Sequence, residues 1–301
     1  MSLRTAVITG ANAGLGLECA RALVAANDEW HVVLAVRDVE RGNDAAKAIA
    51  RPERCSVMRV DLGSLESVRD FALALRDADV PPLHAIVCNA GVQVVSRTQK
   101  TADGVEKTFG VNHLGHFALV DRLLLDLSNP ARIIVVSSAT HDPAHFTGMP
   151  APRYTRAADL ATPTEQESSA DGRRRYTTSK LCNVLFAYEL DRRLGHGQQG
   201  ITVNAFDPGL MPSTGLSRDY PLLGRWAFRY VFSAMRFLPF VNSTRTSGRR
   251  LAALVHESQF SDTTGTYFSG GEQAASSQDS YDAGLAEDLW QTSEQLVSLV
   301  E

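Results

Sequence analysis

Little in this sequence points to a stapled, membrane-embedded or nucleic-acid-binding protein. Only four cysteines occur in 301 residues, and Cys19, Cys55, Cys88 and Cys182 are scattered. No pair has CxxC spacing, so neither a zinc site nor a redox motif is indicated and no metal is expected. No run of about 18 apolar residues occurs, so no segment is expected to span a membrane as a helix. Nor is positive charge in excess: the formal net charge is -4 and the pI about 6.1. Phosphate binding leaves a basic footprint, so nucleic acid is excluded as a main partner. The segment before Thr5-Ala6-Val7-Ile8-Thr9 lacks the apolar stretch of a signal peptide, which makes a cytoplasmic location the expectation.

What is present is ordinary globular composition, 44% hydrophobic and 21% charged. That excludes disorder and collagen-like structure, and a chain of this length can bury a core without disulfides. Strand and helix patterns alternate. Strands are predicted at Arg4–Thr9, Trp30–Val36, Ser56–Val60, Leu83–Cys88, Arg132–Ser137 and Ile201–Phe206. Helices are predicted at Leu15–Ala26, Val39–Ala50, Ser64–Leu75, Asp103–Leu127 and Tyr176–Leu194. The strands are nearly all apolar, as strands buried on both faces of a parallel sheet are. The expected fold is therefore α/β: a Rossmann-type doubly wound parallel sheet with helices on both faces. No linker or repeat divides the chain, so residues 1–301 read as one domain. The pattern lapses at about 141–175, which reads as an insertion loop.

Thr9-Gly10-Ala11-Asn12-Ala13-Gly14-Leu15-Gly16 lies between the first strand and the first helix. Glycines let the backbone turn and approach a pyrophosphate seated at a helix N-terminus. In that context Gly10, Asn12, Gly14, Leu15 and Gly16 are candidate cofactor contacts. The second strand runs into Arg37, where NAD-binding folds place an acid. A guanidinium there suits a ribose 2′-phosphate, so NADP(H) is expected over NAD. The alternative for Arg37 is an ion pair with Asp38. Asp61, after the third strand, is either an adenine contact or a turn residue.

Tyr176 and Lys180 are four apart on a predicted helix and share a face. A tyrosine titrates too high for proton transfer at neutral pH, and a nearby ammonium lowers its pKa. Leu222, Leu223, Trp226, Ala227, Tyr230, Val231 and Ala234 also fall at helical spacing, with Arg225, Arg229 and Arg236 between them. Such a helix within about 215–245 suits a lid over an apolar substrate, a peripheral membrane contact or core packing. Arg173-Arg174-Arg175 reads as a solvated charge run.

Together with Asn89-Ala90-Gly91, Asn112, Ser137-Ser138 and Pro208-Gly209, these motifs resemble the short-chain dehydrogenase/reductase family, in its order, over residues 4–215. The runs Val87-Cys88-Asn89-Ala90, Val111-Asn112-His113-Leu114-Gly115-His116-Phe117, Thr140-His141-Asp142-Pro143 and Ser179-Lys180-Leu181-Cys182-Asn183 are most similar to its light-dependent protochlorophyllide reductases and retinol dehydrogenases. The resemblance implies a catalytic tetrad of Asn112, Ser138, Tyr176 and Lys180, with Asn112 holding a water that connects Lys180 to solvent. It extends the cofactor contacts to Leu62, Asn89, Ala90, Gly91, Tyr176, Lys180, Pro208, Gly209 and Thr214. It implies an NADP(H)-dependent oxidoreductase acting on a small lipophilic carbonyl or alcohol, and by analogy a homo-oligomer. Two alternatives stay open: light-driven reduction of a pigment double bond, with Cys88 assisting, and a non-catalytic NADP(H)-binding regulator.

Overall fold

The computed structural model describes residues 3–27, 29–162, 168–209 and 243–299. The elements, in chain order, are β1 (Arg4–Thr9), α1 (Gly14–Ala26), β2 (Trp30–Val36), α2 (Val39–Lys47), β3 (Cys55–Arg59), α3 (Leu65–Asp77) and β4 (Leu83–Cys88). Then come α4 (Lys107–Phe109), a π-turn (Gly110–Leu114), α5 (Gly115–Leu123), β5 (Leu127–Val136), α6 (Ala157–Ala161) and α7 (Ser169–Arg193). The chain ends with β6 (Ile201–Asp207), α8 (Thr244–His256), β7 (Thr266–Ser269), β8 (Glu272–Ala274) and α9 (Ala283–Ser298).

One sheet carries the order β3-β2-β1-β4-β5-β6-β7-β8, parallel except for the final β7–β8 pair. The register between β1 and β2 sets Ile8 against Leu34. Strand side chains alternate faces, and the two cores follow that alternation. Val7, Val33, Ile86, Cys88, Ile133 and Val203 pack under α3, α5, α7 and α9. Ala6, Ile8, Leu34, Val87, Ile134 and Phe206 pack under α1, α2 and α8. Helices on both faces of a mostly parallel sheet make this the expected doubly wound single domain. The strand order turns back between β1 and β4, and in such sheets ligands bind at the strands' carboxyl ends beside that point.

The boundaries differ from the sequence reading in several places. The helix expected at Asp103–Leu127 forms only from Lys107 to Leu123, with a π-turn inside it, and β5 starts at Leu127 rather than Arg132. Helix α7 starts at Ser169, seven residues before Tyr176, because Ser168 and Asp171 form a capping box: Ser168 Oγ accepts from the Asp171 amide and Asp171 Oδ2 from the Ser168 amide, at 3.4 and 2.9 Å. Residues 141–175 also hold α6, so this stretch is not all loop. Two strands, β7 and β8, were not foreseen. Helix α9 closes the face of α5 and α7: Trp290 meets Phe117 and Phe186, and buried His113 Nε2 lies 2.8 Å from Ser293 Oγ. Thr214 and residues 215–242 of the expected lid lie outside the described residues.

Candidate active site

The glycine-rich turn leaves β1 at its carboxyl end. Gly10 and Gly14 have φ of +66° and +59°, which an L side chain resists. Gly16 faces β4 so closely that a β-carbon would stand 2.5 Å from Asn89 Nδ2. The turn delivers the N-terminus of α1, which has no side-chain cap and no acid in its first turn. Helices α2, α3, α7, α8 and α9 are each capped, by Asp38, Ser64, Ser168, Ser243 and Asp282. The first amides of α1 thus meet no side-chain cap, and the positive end of such a helix suits an anion. The open side of Gly14, where a β-carbon would meet nothing within 4 Å, gives a pyrophosphate room. These features fit a dinucleotide.

Thr9, at the end of β1, gathers the neighbouring loop. Its Oγ1 accepts from the amides of Asn89 and Ala90, both at 2.9 Å, and Asn89 Nδ2 donates to the Thr9 carbonyl at 2.7 Å. Arg37 is exposed just beyond β2. Asp38 caps α2 by accepting from the Arg41 amide at 3.1 Å. Asp61 Oδ1 accepts from the Gly63 amide at 2.9 Å, the turn role foreseen as its alternative, while Leu62 is buried beside it. Gly209 has φ of +76° and donates its amide to Asp207 Oδ1 at 3.0 Å.

The four residues expected to do chemistry come from three elements, at the carboxyl ends of β4 and β5. Asn112 lies in the π-turn before α5. Its Oδ1 accepts from the Val92 amide at 2.7 Å, and its Nδ2 donates to the Val92 carbonyl at 3.0 Å and to Ser179 Oγ at 2.9 Å. Ser179 Oγ in turn donates to the Tyr176 carbonyl at 2.7 Å. Asn112 therefore ties the loop after β4 to α7 through its side chain. Of the serine pair, Ser137 is buried and donates to the Lys180 carbonyl at 2.7 Å. Ser138 is only half-buried and accepts from the Thr140 amide at 3.3 Å, leaving its hydroxyl proton available.

Tyr176 and Lys180 are both buried on α7, with Lys180 Nζ 5.7 Å from the Tyr176 ring centre. Nζ donates to the Val136 carbonyl at 3.1 Å. Burial pulls the Lys180 pKa down to about 8, and the Asp207 carboxylate opposes that shift. Gly91 keeps the approach narrow: a β-carbon there would stand 3.4 Å from Asn112 Oδ1 and 3.7 Å from Lys180 Nζ. Cys88 is wholly buried in the core and burial pushes its thiol far up, which does not suit proton donation. Arg174 lies 3.5 Å from Asp171 and Arg175 Nη1 donates to Thr98 at 2.8 Å, so the arginine run is partly anchored rather than simply solvated.

A surface cavity of about 190 Å³ is formed by the segment after β5, where Thr140, Asp142, His145 and Thr147 line it together with Pro143, Phe146, Met149 and Pro150. Phe146 is fully exposed at its edge. The sequence reading missed the supporting roles of Thr9, Ser179, His116 and His141. One signal was there: His116 is four residues after Asn112, on the same helical face.

Residues 4–150 match the family described as short chain dehydrogenase. A protochlorophyllide reductase of Avena sativa is 38% identical over 320 residues, covering 97% of this chain and 99% of that protein. A WW domain-containing oxidoreductase of Gallus gallus is 35% identical over 302 residues, covering 99% of this chain and 69% of that protein. The crystal structure of an uncharacterized protein from Mycobacterium Paratuberculosis superposes with a TM-score of 0.73 at 30% identity, covering 99% of this chain and 94% of that one. By the sequence match, the full-length relatives and the sheet that carries the site, the chain belongs to the short-chain dehydrogenase family of oxidoreductases and is related within it to the protochlorophyllide reductases.

Proposed function

We propose that this chain is an NADP(H)-dependent oxidoreductase that interconverts a lipophilic carbonyl and its alcohol. The observation that carries this reading is Tyr176 one helical turn from the buried ammonium of Lys180, on the helix that also meets Asn112. The nicotinamide, when bound, supplies or accepts the hydride. In the reducing direction Tyr176 gives its phenolic proton to the carbonyl oxygen. Ser138 holds that oxygen through its free hydroxyl proton. Lys180 favours the tyrosinate left behind, since a nearby positive charge lowers a phenol's pKa. The uncapped amides of α1 hold the pyrophosphate, and exposed Arg37 meets the 2′-phosphate. Pro143, Phe146, Met149 and Pro150 suit an apolar substrate body. NADPH oxidation against a panel of aldehydes, ketones, quinones and retinoids tests the reading.

A second reading is light-driven reduction of a pigment double bond, favoured by the 38% identity to the Avena sativa enzyme over nearly the whole of both chains. Loss of protochlorophyllide absorbance under illumination with NADPH, and none in the dark, would select it. Cys88, buried in the core, is a poor proton donor in either reading.

A further inference from the structure

Two histidines near the site share one arrangement. His116 Nδ1 lies 3.1 Å from the Asn112 carbonyl and its Nε2 lies 2.8 Å from Thr9 Oγ1. His141 Nδ1 lies 2.7 Å from the Ser138 carbonyl and its Nε2 accepts from the Ser277 amide at 3.0 Å. Each ring is 1% exposed.

Hydrogen-bond chemistry fixes both tautomers. A carbonyl can only accept, so each Nδ1 carries the proton and donates. Nε2 is then a bare acceptor. At His141 that agrees with an amide that can only donate. At His116 it directs the Thr9 hydroxyl proton to Nε2 at 2.8 Å in preference to the Val87 carbonyl at 3.3 Å, while Thr9 Oγ1 accepts from the amides of Asn89 and Ala90. A directed chain thus runs from the loop after β4 through Thr9 and His116 to the Asn112 carbonyl. Burial also pulls both imidazoles below the ordinary histidine value, His116 to about 4.

We propose that His116 and His141 are positioning residues, neutral imidazoles that clamp the main-chain carbonyls of Asn112 and Ser138 and brace them against Thr9 and the Ser277 amide. The proposal rests on the site reading given above. His116 fixes Asn112 relative to the cofactor turn. His141 fixes the backbone from which the Ser138 hydroxyl is presented, and ties it to the segment after β8.

Two substitutions separate the bonds at each ring. Asparagine can place a donor where Nδ1 stands, and glutamine only where Nε2 stands. His116→Gln and His141→Gln are expected to lower kcat with KM little changed, by about tenfold to 100-fold, since a displacement of 1 Å at a reacting group costs on the order of 10²-fold. His116→Asn and His141→Asn are expected to recover most of that loss. His116→Asn, which gives up the Thr9 bond, should weaken NADPH binding in a fluorescence titration, whereas His141→Asn should not.

A measurement without variants guards against misfolding. Long-range proton–nitrogen correlation spectra of the full chain at pH 7 should show both rings neutral and protonated at Nδ1. An Nε2-protonated or charged ring at either position overturns the proposal, as do glutamine variants with wild-type kcat. Tyr176→Phe separates the two levels. If it retains turnover, the site reading fails and this proposal falls with it. If it is inactive while the glutamine variants equal wild type, only the histidine proposal fails.

Discussion

Lys180 Nζ lies 5.7 Å from the centre of the Tyr176 ring and donates to the Val136 carbonyl at 3.1 Å, so the ammonium is held between the proposed acid and the end of β5. Burying that charge has a cost, visible as a pKa lowered from 10.5 to about 8. The unfolded chain keeps this proton between those two values and the folded chain sheds it. Stability therefore rises with pH across that window, and the cost is fully present below about pH 8. Lys180→Met should show its most favourable stability relative to wild type at pH 7. That difference should move against the variant by up to about 3 kcal/mol toward pH 10.5, at about 1.4 kcal/mol per pKa unit. Urea midpoints at both pH values check this; a pH-independent difference would refute it.

Cofactor choice should follow Arg37. A charge-assisted hydrogen bond to the 2′-phosphate is worth roughly 1.5–3 kcal/mol. Arg37→Ala should therefore weaken NADPH about tenfold or more and leave NADH nearly unchanged, since 1.4 kcal/mol is tenfold. Equal weakening of both in calorimetric titrations would remove Arg37 from the cofactor site.

The serine pair should divide by function. Ser137 is buried and bonded to the Lys180 carbonyl, while Ser138 Oγ accepts from the Thr140 amide and, in the proposed mechanism, would donate to substrate. Ser137→Ala should lower Tm modestly, because one buried hydrogen bond is lost, at about 0.5–1.5 kcal/mol, while the Lys180 carbonyl keeps its helical bond. Ser138→Ala should leave Tm near wild type and reduce kcat. The reverse pattern would reassign the catalytic hydroxyl to Ser137.

Much of this was legible in the sequence. The six strands expected from the sequence are mostly apolar, and that pattern survives any error in their ends. The turn at Gly10–Gly16 and the Tyr176–Lys180 spacing carry their chemistry in residue type and order alone. Other features are not written locally. Strand β8 is exposed along Glu272–Ala274 and, among the described residues, pairs only with β7, so it has no apolar signature. The start of α7 depends on Ser168 and Asp171, which sit among serines and charges that read as loop. Asn112 matched its motif, yet its side-chain amide is bonded to Val92 and Ser179, which only the folded chain brings together. The clamps of His116 and His141 end on main-chain carbonyls, and a carbonyl leaves no mark in a sequence.

The most direct test of the central claim is NADPH oxidation in the dark, measured on wild type and Tyr176→Phe with a lipophilic carbonyl substrate. General acid catalysis contributes about 10²–10⁴-fold, so the variant should lose kcat in that range. Its NADPH affinity should be unchanged, because the ring remains. Wild-type turnover in the phenylalanine variant, or a wild type that consumes NADPH only with protochlorophyllide under illumination, would contradict the account.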